Sequence, residues 1–257
     1  MVDNPSAQPV LDRRRAGVLL HPTSLPAGDL GDDARRFVDF LANCGFTVWQ
    51  CLPLGPTHDD GSPYHALSAH AGNPSLISLS RLRAWGWLNS DAVSSVAEGL
   101  TTAHREVLAD AAVRQEYGTC LERERAWLDD YALFSVLREK LHHVPWWQWP
   151  AALRDHEPSA LAEVRVSLAD ALESVRFGQF IFDRQWRELR AYAHEHGVRL
   201  FGDMPIFVAH DSADVWSNRA FFRLEASGQP SVVAGVPPDY FSAEGQRWGN
   251  PLYDWKA

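Results

Sequence analysis

The chain has 257 residues, 46% hydrophobic and 22% charged, which is enough apolar material for a sizeable buried core. Its formal net charge is −9 and its 24 Lys and Arg are dispersed, which argues against a phosphate backbone as partner and favours a neutral substrate. No apolar run near the start is long enough for a signal peptide or membrane span, so a cytoplasmic location is expected. Cys44, Cys51 and Cys120 lack paired spacing and read as free, buried thiols rather than disulfide or zinc ligands.

Residues 1–14, with Pro5 and Pro9, read as a flexible tail. Gly17 to Leu20 is a short apolar run, a good buried strand, followed by a turn through Pro22 and Pro26. A helix follows: Asp32 or Asp33 can cap it, Ala34, Phe37, Val38 and Leu41 share one face, and Gly45 supplies a left-handed stop. Val48 to Leu52 then reads as a second strand. Strand, helix, strand predicts a parallel βαβ unit with its functional loops at the C-terminal strand ends.

From about residue 83 to 180 the chain becomes charged and helical in pattern. Trp127, Tyr131, Phe134, Leu137 and Leu141 fall at helical spacing, and Pro145 is expected to end that helix. Trp146, Trp147 and Trp149 beside it could form a sugar platform, but packing at a helix end is the better reading. Phe182, Trp186, Leu189 and Ala193 mark a further helix that stops at Gly197, and Val198 to Asp203 follows as a third parallel strand. Leu76 to Leu79 and Ser231 to Val233 are weaker strand candidates. The last residues, rich in Gly, Pro, Asn and aromatic types, suit a long functional loop. The histidines form no ligand cluster and no phosphate-cradling Gly loop is present, so neither metal nor organic cofactor is expected.

Residue chemistry leaves several roles open. Tyr64 after Pro63 reads as a half-buried turn anchor, Ser62 as a turn starter, and Asp203 as a cap on its neighbours' amides. Phe241 and Trp248 suit packing. Asp203 with Asp239 or Glu244 could be written as a catalytic pair, though nothing in the spacing supports that geometry.

The block Gly17 to Pro26, then Trp49 to Pro56, Ser62-Pro63-Tyr64, Asn73-Pro74, Gly202 to Val208, and Gly235 to Trp255 occur in an order that resembles the amylomaltases. These are 4-α-glucanotransferases, which move α-1,4-glucan segments between acceptors, and the resemblance covers nearly the whole chain. It implies an α/β fold of the (β/α)8 TIM-barrel type, of which this chain is the N-terminal part with the barrel incomplete. On that view residues 15–82 are the first barrel βα units and 83–180 a helical insertion. Residues 181–257 then carry the third strand and an active-site lid loop.

The resemblance also implies roles. Tyr64 stacks on the sugar beside the bond being broken, with Ser62 assisting, and Asp203 supports the site by hydrogen bonding. Tyr240 and Phe241 form an aromatic lid, with Gln246, Trp248 and Asn250 as substrate-side contacts. The nucleophile and acid/base of retaining transfer belong to later strands, beyond Ala257, so this chain is expected to be inactive alone. Partners implied are maltooligosaccharides or α-1,4-glucans, with no nucleic acid and no membrane. A non-catalytic glucan-binding piece, an α-glucan hydrolase and a structural remnant remain the alternatives. Two departures from the family pattern stand out: the turn from Pro26 to Gly31 is short, and His65 stands where Gln is commoner.

Overall fold

The computed structural model describes residues 13–89 and 92–256, so the expected tail lies outside the described residues up to residue 12. Strand β1 (Gly17–Leu19), helix α1 (Asp32–Asn43) and strand β2 (Val48–Gln50) form the expected parallel unit, with Gly17 opposite Val48 and Leu19 opposite Gln50. The helix starts one residue earlier than its acidic pair suggests. Gly31 is the N-cap, and Asp32 and Asp33 occupy the first turn, where the exposed N–H ends favour negative charge. Asp33 instead accepts from the Ala27 amide at 2.8 Å. Gly45, at φ 77°, makes the left-handed exit.

The expected strand at Leu76 to Leu79 is absent. Asn73 accepts from the Ser75 amide and Pro74 opens a 3-10 turn, and Leu79 already begins α2 (Leu79–Ala84). Leu76 and Ile77 are core residues all the same. The Leu76 carbonyl accepts from the Leu30 amide at 2.9 Å, and the Ser78 backbone pairs with the Gln185 side chain rather than with a neighbouring strand.

Helices α3 (Val96–Ala109), α4 (Ala111–Lys140), α5 (Ala151–Arg154), α6 (Pro158–Ser167) and α7 (Ala169–Glu195) follow. The expected apolar stripe lies on α4, but the helix ends before Pro145 has any part in it: His142 and His143 both adopt left-handed backbone, at φ 55° and 61°. Trp146 and Trp149 are buried with Phe134 and Trp216 in one core, as the packing reading requires. Trp147 is half-buried and stacks on His210 at 3.9 Å. Helix α7 runs unbroken through residue 180 and returns the chain to the sheet.

Strand β3 (Arg199–Phe201) pairs parallel with β2, giving the order β1-β2-β3. Side chains alternate across this sheet. Val18, Trp49 and Leu200 face the helices, and Trp49 is fully buried with its ring edge-on to Phe37. Leu19 and Phe201 point the other way and are 54% and 43% exposed. The chain continues through α8 (Ala213–Ser217) to β4 (Val233–Val236) and β5 (Gln246–Pro251).

These last strands correct two expectations. Val233 belongs to a separate antiparallel pair, not to the parallel sheet, and the final stretch is a β-hairpin rather than a loop. Two-strand closeness demands glycine here, since a Cβ on Gly235 would lie 2.3 Å from the Gln246 carbonyl oxygen.

Candidate functional site

Asp203 leaves the C-terminal end of β3, the end where parallel α/β folds present their chemistry. Tyr64 reaches it from the loop after β2 and donates its hydroxyl to Asp203 Oδ2 at 2.7 Å. That bond, with the Asp203 carboxylate as acceptor, pushes the Tyr64 hydroxyl pKa up. The two line an open cleft of about 730 Å³ together with Asp60, Ser62, His65, Ile206, Phe207, Trp248 and Asn250.

The loop carrying Tyr64 is closed on itself. Thr57 and Ala66 form an isolated antiparallel bridge, the His58 amide donates to the His65 carbonyl at 3.1 Å, and the Leu67 amide donates to Pro56 at 2.7 Å. Asp60 accepts from the Ser62 amide at 3.1 Å and from His65 Nδ1 at 2.8 Å. The Ser62 amide, followed by His65, holds the Asp60 carboxyl below the usual range.

On the opposite wall, Asn250 donates from Nδ2 to the Val208 carbonyl at 2.8 Å, fixing β5 against the segment after Asp203. Trp248 lies with its ring centroid 6.4 Å from Phe207 and donates to Gln246 Oε1 at 3.0 Å. The structure therefore brings Ser62, Tyr64, Asp203, Trp248 and Asn250 to one cleft. Gln246 meets it only through Trp248. Tyr240 and Phe241 stand away from its walls at the hairpin tip, 97% and 89% exposed and edge-to-face with each other at 5.5 Å. Asp239 accepts from the Phe241 and Ser242 amides and so shapes that tip; neither Asp239 nor Glu244 lines the cleft.

Several groups were not singled out from the sequence. His58 stacks on His65 at 4.0 Å, behind Tyr64. Gln179 and Gln185 on α7 each clamp a buried backbone amide at both ends: Gln179 the N–H and C=O of Gly72 at 2.8 and 2.9 Å, Gln185 those of Ser78 at 2.8 and 2.9 Å. Gly72 must be glycine, because a Cβ there would lie 2.0 Å from the Phe182 ring. The signal was available: two amides on the otherwise apolar face of a helix have to bond something. Among the described residues no set of His, Cys, Asp and Glu is placed to hold a metal ion, and no helix is long and apolar enough to cross a membrane.

The family model described as 4-alpha-glucanotransferase matches residues 18–257. The chain is 46% identical to the 4-alpha-glucanotransferase of Thermus thermophilus, over 94% of its own length and 52% of that relative's. It is 43% identical to the one from a Synechocystis strain, over 96% and 54%. Its fold superposes on the amylomaltase from Streptococcus agalactiae, solved in complex with acarbose, with a TM-score of 0.87 and 34% identity, covering 95% of this chain and 54% of that one. The chain thus spans about half the length of the relatives it matches. An α/β chain with a short parallel sheet, matched by that model over nearly its whole length, belongs to the 4-alpha-glucanotransferase family.

Proposed function

We propose that this chain builds the sugar-holding side of a site that transfers α-1,4-glucan segments by a retaining mechanism. The observation that carries the reading is the Tyr64 hydroxyl bound to Asp203 at 2.7 Å within an open, aromatic-flanked cleft. A flat phenol offers its face to the apolar side of a glucose ring, and the bond to Asp203 fixes the angle of that face. Asp203 is a supporting group, since its Oδ2 is already committed to Tyr64.

Retaining transfer needs two carboxyl groups about 5–5.5 Å apart across the scissile bond. The carboxylates lining this cleft are Asp203 and Asp60, and Asp60 is taken up by the Ser62 amide and His65. We place the nucleophile and the acid/base on residues beyond 257, as the resemblance to the amylomaltases implies. The bare face of the β1-β2-β3 sheet, with Leu19 and Phe201 half exposed and Met204 and Ile206 about 80% exposed beside it, supports reading the sheet as part of a larger barrel. On that reading residues 83–180 are a helical insertion. Tyr240 and Phe241 stand free on a shaped hairpin tip, ready to fold over a bound chain and admit a sugar acceptor in place of water.

Titration of the chain with maltoheptaose, followed by calorimetry, tests the binding half of the proposal. Saturable heat that Tyr64→Ala weakens is the expected result. Identical isotherms for the two proteins would remove Tyr64 from the site.

A further inference from the structure

Behind Tyr64 the histidines His58 and His65 lie face to face, 4.0 Å apart and 16° from parallel. The acceptors fix the tautomers. His58 Nε2 lies 2.8 Å from the Asp211 carbonyl oxygen, which can only accept, so Nε2 carries the hydrogen and Nδ1 is left to take any second proton. His65 Nδ1 is 2.8 Å from the Asp60 carboxylate and donates to it. Two rings at this separation stack well while His58 is neutral. They repel when both are imidazolium, because like charges within contact distance disfavour one another.

We infer that His58 and His65 are positioning residues for Tyr64: the stacked pair holds the loop of residues 57–66 closed, and protonation of His58 releases it. This rests on Tyr64 being a sugar contact, and it adds that glucan binding at this site is proton-sensitive. The loop has few other ties. Its backbone bonds close on themselves through Thr57, His58, His65 and Leu67; the Tyr64–Asp203 and His58–Asp211 bonds and the buried Ala66 join it to the body of the protein, and the stacked rings brace it from within.

The charges around His58 favour the neutral ring in the closed loop. From its own loop it meets His65, with Asp60 beyond. The end of α4 contributes Arg138 and His143, and the 209–211 segment contributes His210 and Asp211. The neighbouring β5 residues, Trp248, Gly249 and Asn250, carry no charge. Arg138 is paired with Asp211 and also donates to His143 Nδ1, so its cation is largely balanced locally. Burial lowers the His58 pKa most, His65 and Arg138 lower it further, and Asp211 opposes them. The closed loop therefore binds fewer protons than the open one. Its advantage is complete at neutral pH and erodes as pH falls through the ordinary histidine value near 6.5, until the closed-state His58 itself titrates.

The size follows from that linkage. Between about pH 7.5 and about pH 5.5, an open-state histidine of ordinary pKa takes up a proton the closed state excludes, lowering the closed-to-open ratio by up to about tenfold. Carboxylates titrate mostly below that window.

The test is amide hydrogen exchange on the intact chain, reading the His58 and Leu67 amides and corrected for the intrinsic pH dependence of exchange. Protection is expected to fall across the window, by up to about tenfold, and by less than about twofold in His58→Gln, which keeps an amide donor for the Asp211 carbonyl but cannot gain a proton. A pH-independent protection in the parent chain, or the same fall in His58→Gln, overturns the inference. If His58→Gln does not fold, the imidazole signals decide: His58 must titrate below 6.5 in the parent, and a value at or above 6.5 overturns it. Maltoheptaose affinity measured over the same window should track the loop. Absence of glucan binding at every pH would sink the glucan reading, and the exchange data would still judge the histidine pair.

Discussion

Replacing Gln185 by Leu tests how the site's support is fastened to α7. Gln185 is 1% exposed, accepts from the Ser78 amide at 2.8 Å, and donates to the Ser78 carbonyl at 2.9 Å. Ser78 is fully buried, so neither group can turn to water. Leu fills similar space and removes both bonds. The carbonyl keeps a long 3.5 Å bond from the Leu82 amide, whereas the N–H loses its partner. An unsatisfied buried group costs about 1–3 kcal/mol, so the N–H dominates and the net loss should be about 2–3 kcal/mol, or about 5–10 °C in Tm for a chain of this size. Gln185→Glu adds a sign check. At neutral pH it sets a buried carboxylate against the Ser78 carbonyl, and its raised pKa means that acidification restores the donor and part of the stability. Urea denaturation monitored by tryptophan fluorescence reads both. A loss under about 1 kcal/mol for Gln185→Leu would show that the clamp is not what holds the 72–79 segment.

Cysteine chemistry follows burial: the Cys51 thiol is pushed up to about 12 and Cys120 to about 11, while Cys44 is exposed, so a thiol reagent at mild alkaline pH should label Cys44 fast and the other two only after denaturation. Asp211→Ala leaves Arg138 without its buried partner and the Trp146 amide without its acceptor, and should cost about 3–5 kcal/mol by urea denaturation. In a chain extended to the length of its relatives, Tyr64→Ala should reduce transfer about five- to tenfold, the scale of one stacking contact, and Trp147→Ala should reduce it less. Equal losses with folding intact would dissolve that distinction.

Much of the fold was readable because it is local. The α1 stripe of Ala34, Phe37, Val38 and Leu41 and the left-handed Gly45 dictate one helix, and the short apolar runs on either side of it dictate a parallel pair. What escaped is what tertiary contacts supply. Leu76 and Ile77 carry strand-like chemistry, but their amides turn back to the Asn73 and Pro74 carbonyls, and the following Ser78 takes its backbone partner from Gln185, over a hundred residues away in sequence. The β4–β5 hairpin was hidden by Gly235, Gly249 and Pro251, which read as loop residues and serve as a close-approach position, a left-handed position at φ 82° and a strand end. Within the site, Tyr64 and Asp203 were recognisable by their family blocks, and their direct bond needed coordinates. The His58–His65 stack was invisible because the six residues between them must fold back before the rings meet.

The central claim, that this chain holds the sugar while the reacting carboxyl groups come from elsewhere, is tested most directly by maltotriose disproportionation. Products are separated by chromatography for the 257-residue chain alone and for the same chain joined to, or mixed with, the remaining half of a family member, at matched folded concentration. The account predicts no glucose or longer maltooligosaccharides from the chain alone and both from the completed protein, since positioned proton transfer is by itself commonly worth about 10²–10⁴-fold in rate. Steady formation of glucose and maltopentaose by the purified chain would contradict it, and would place a catalytic pair within residues 1–257.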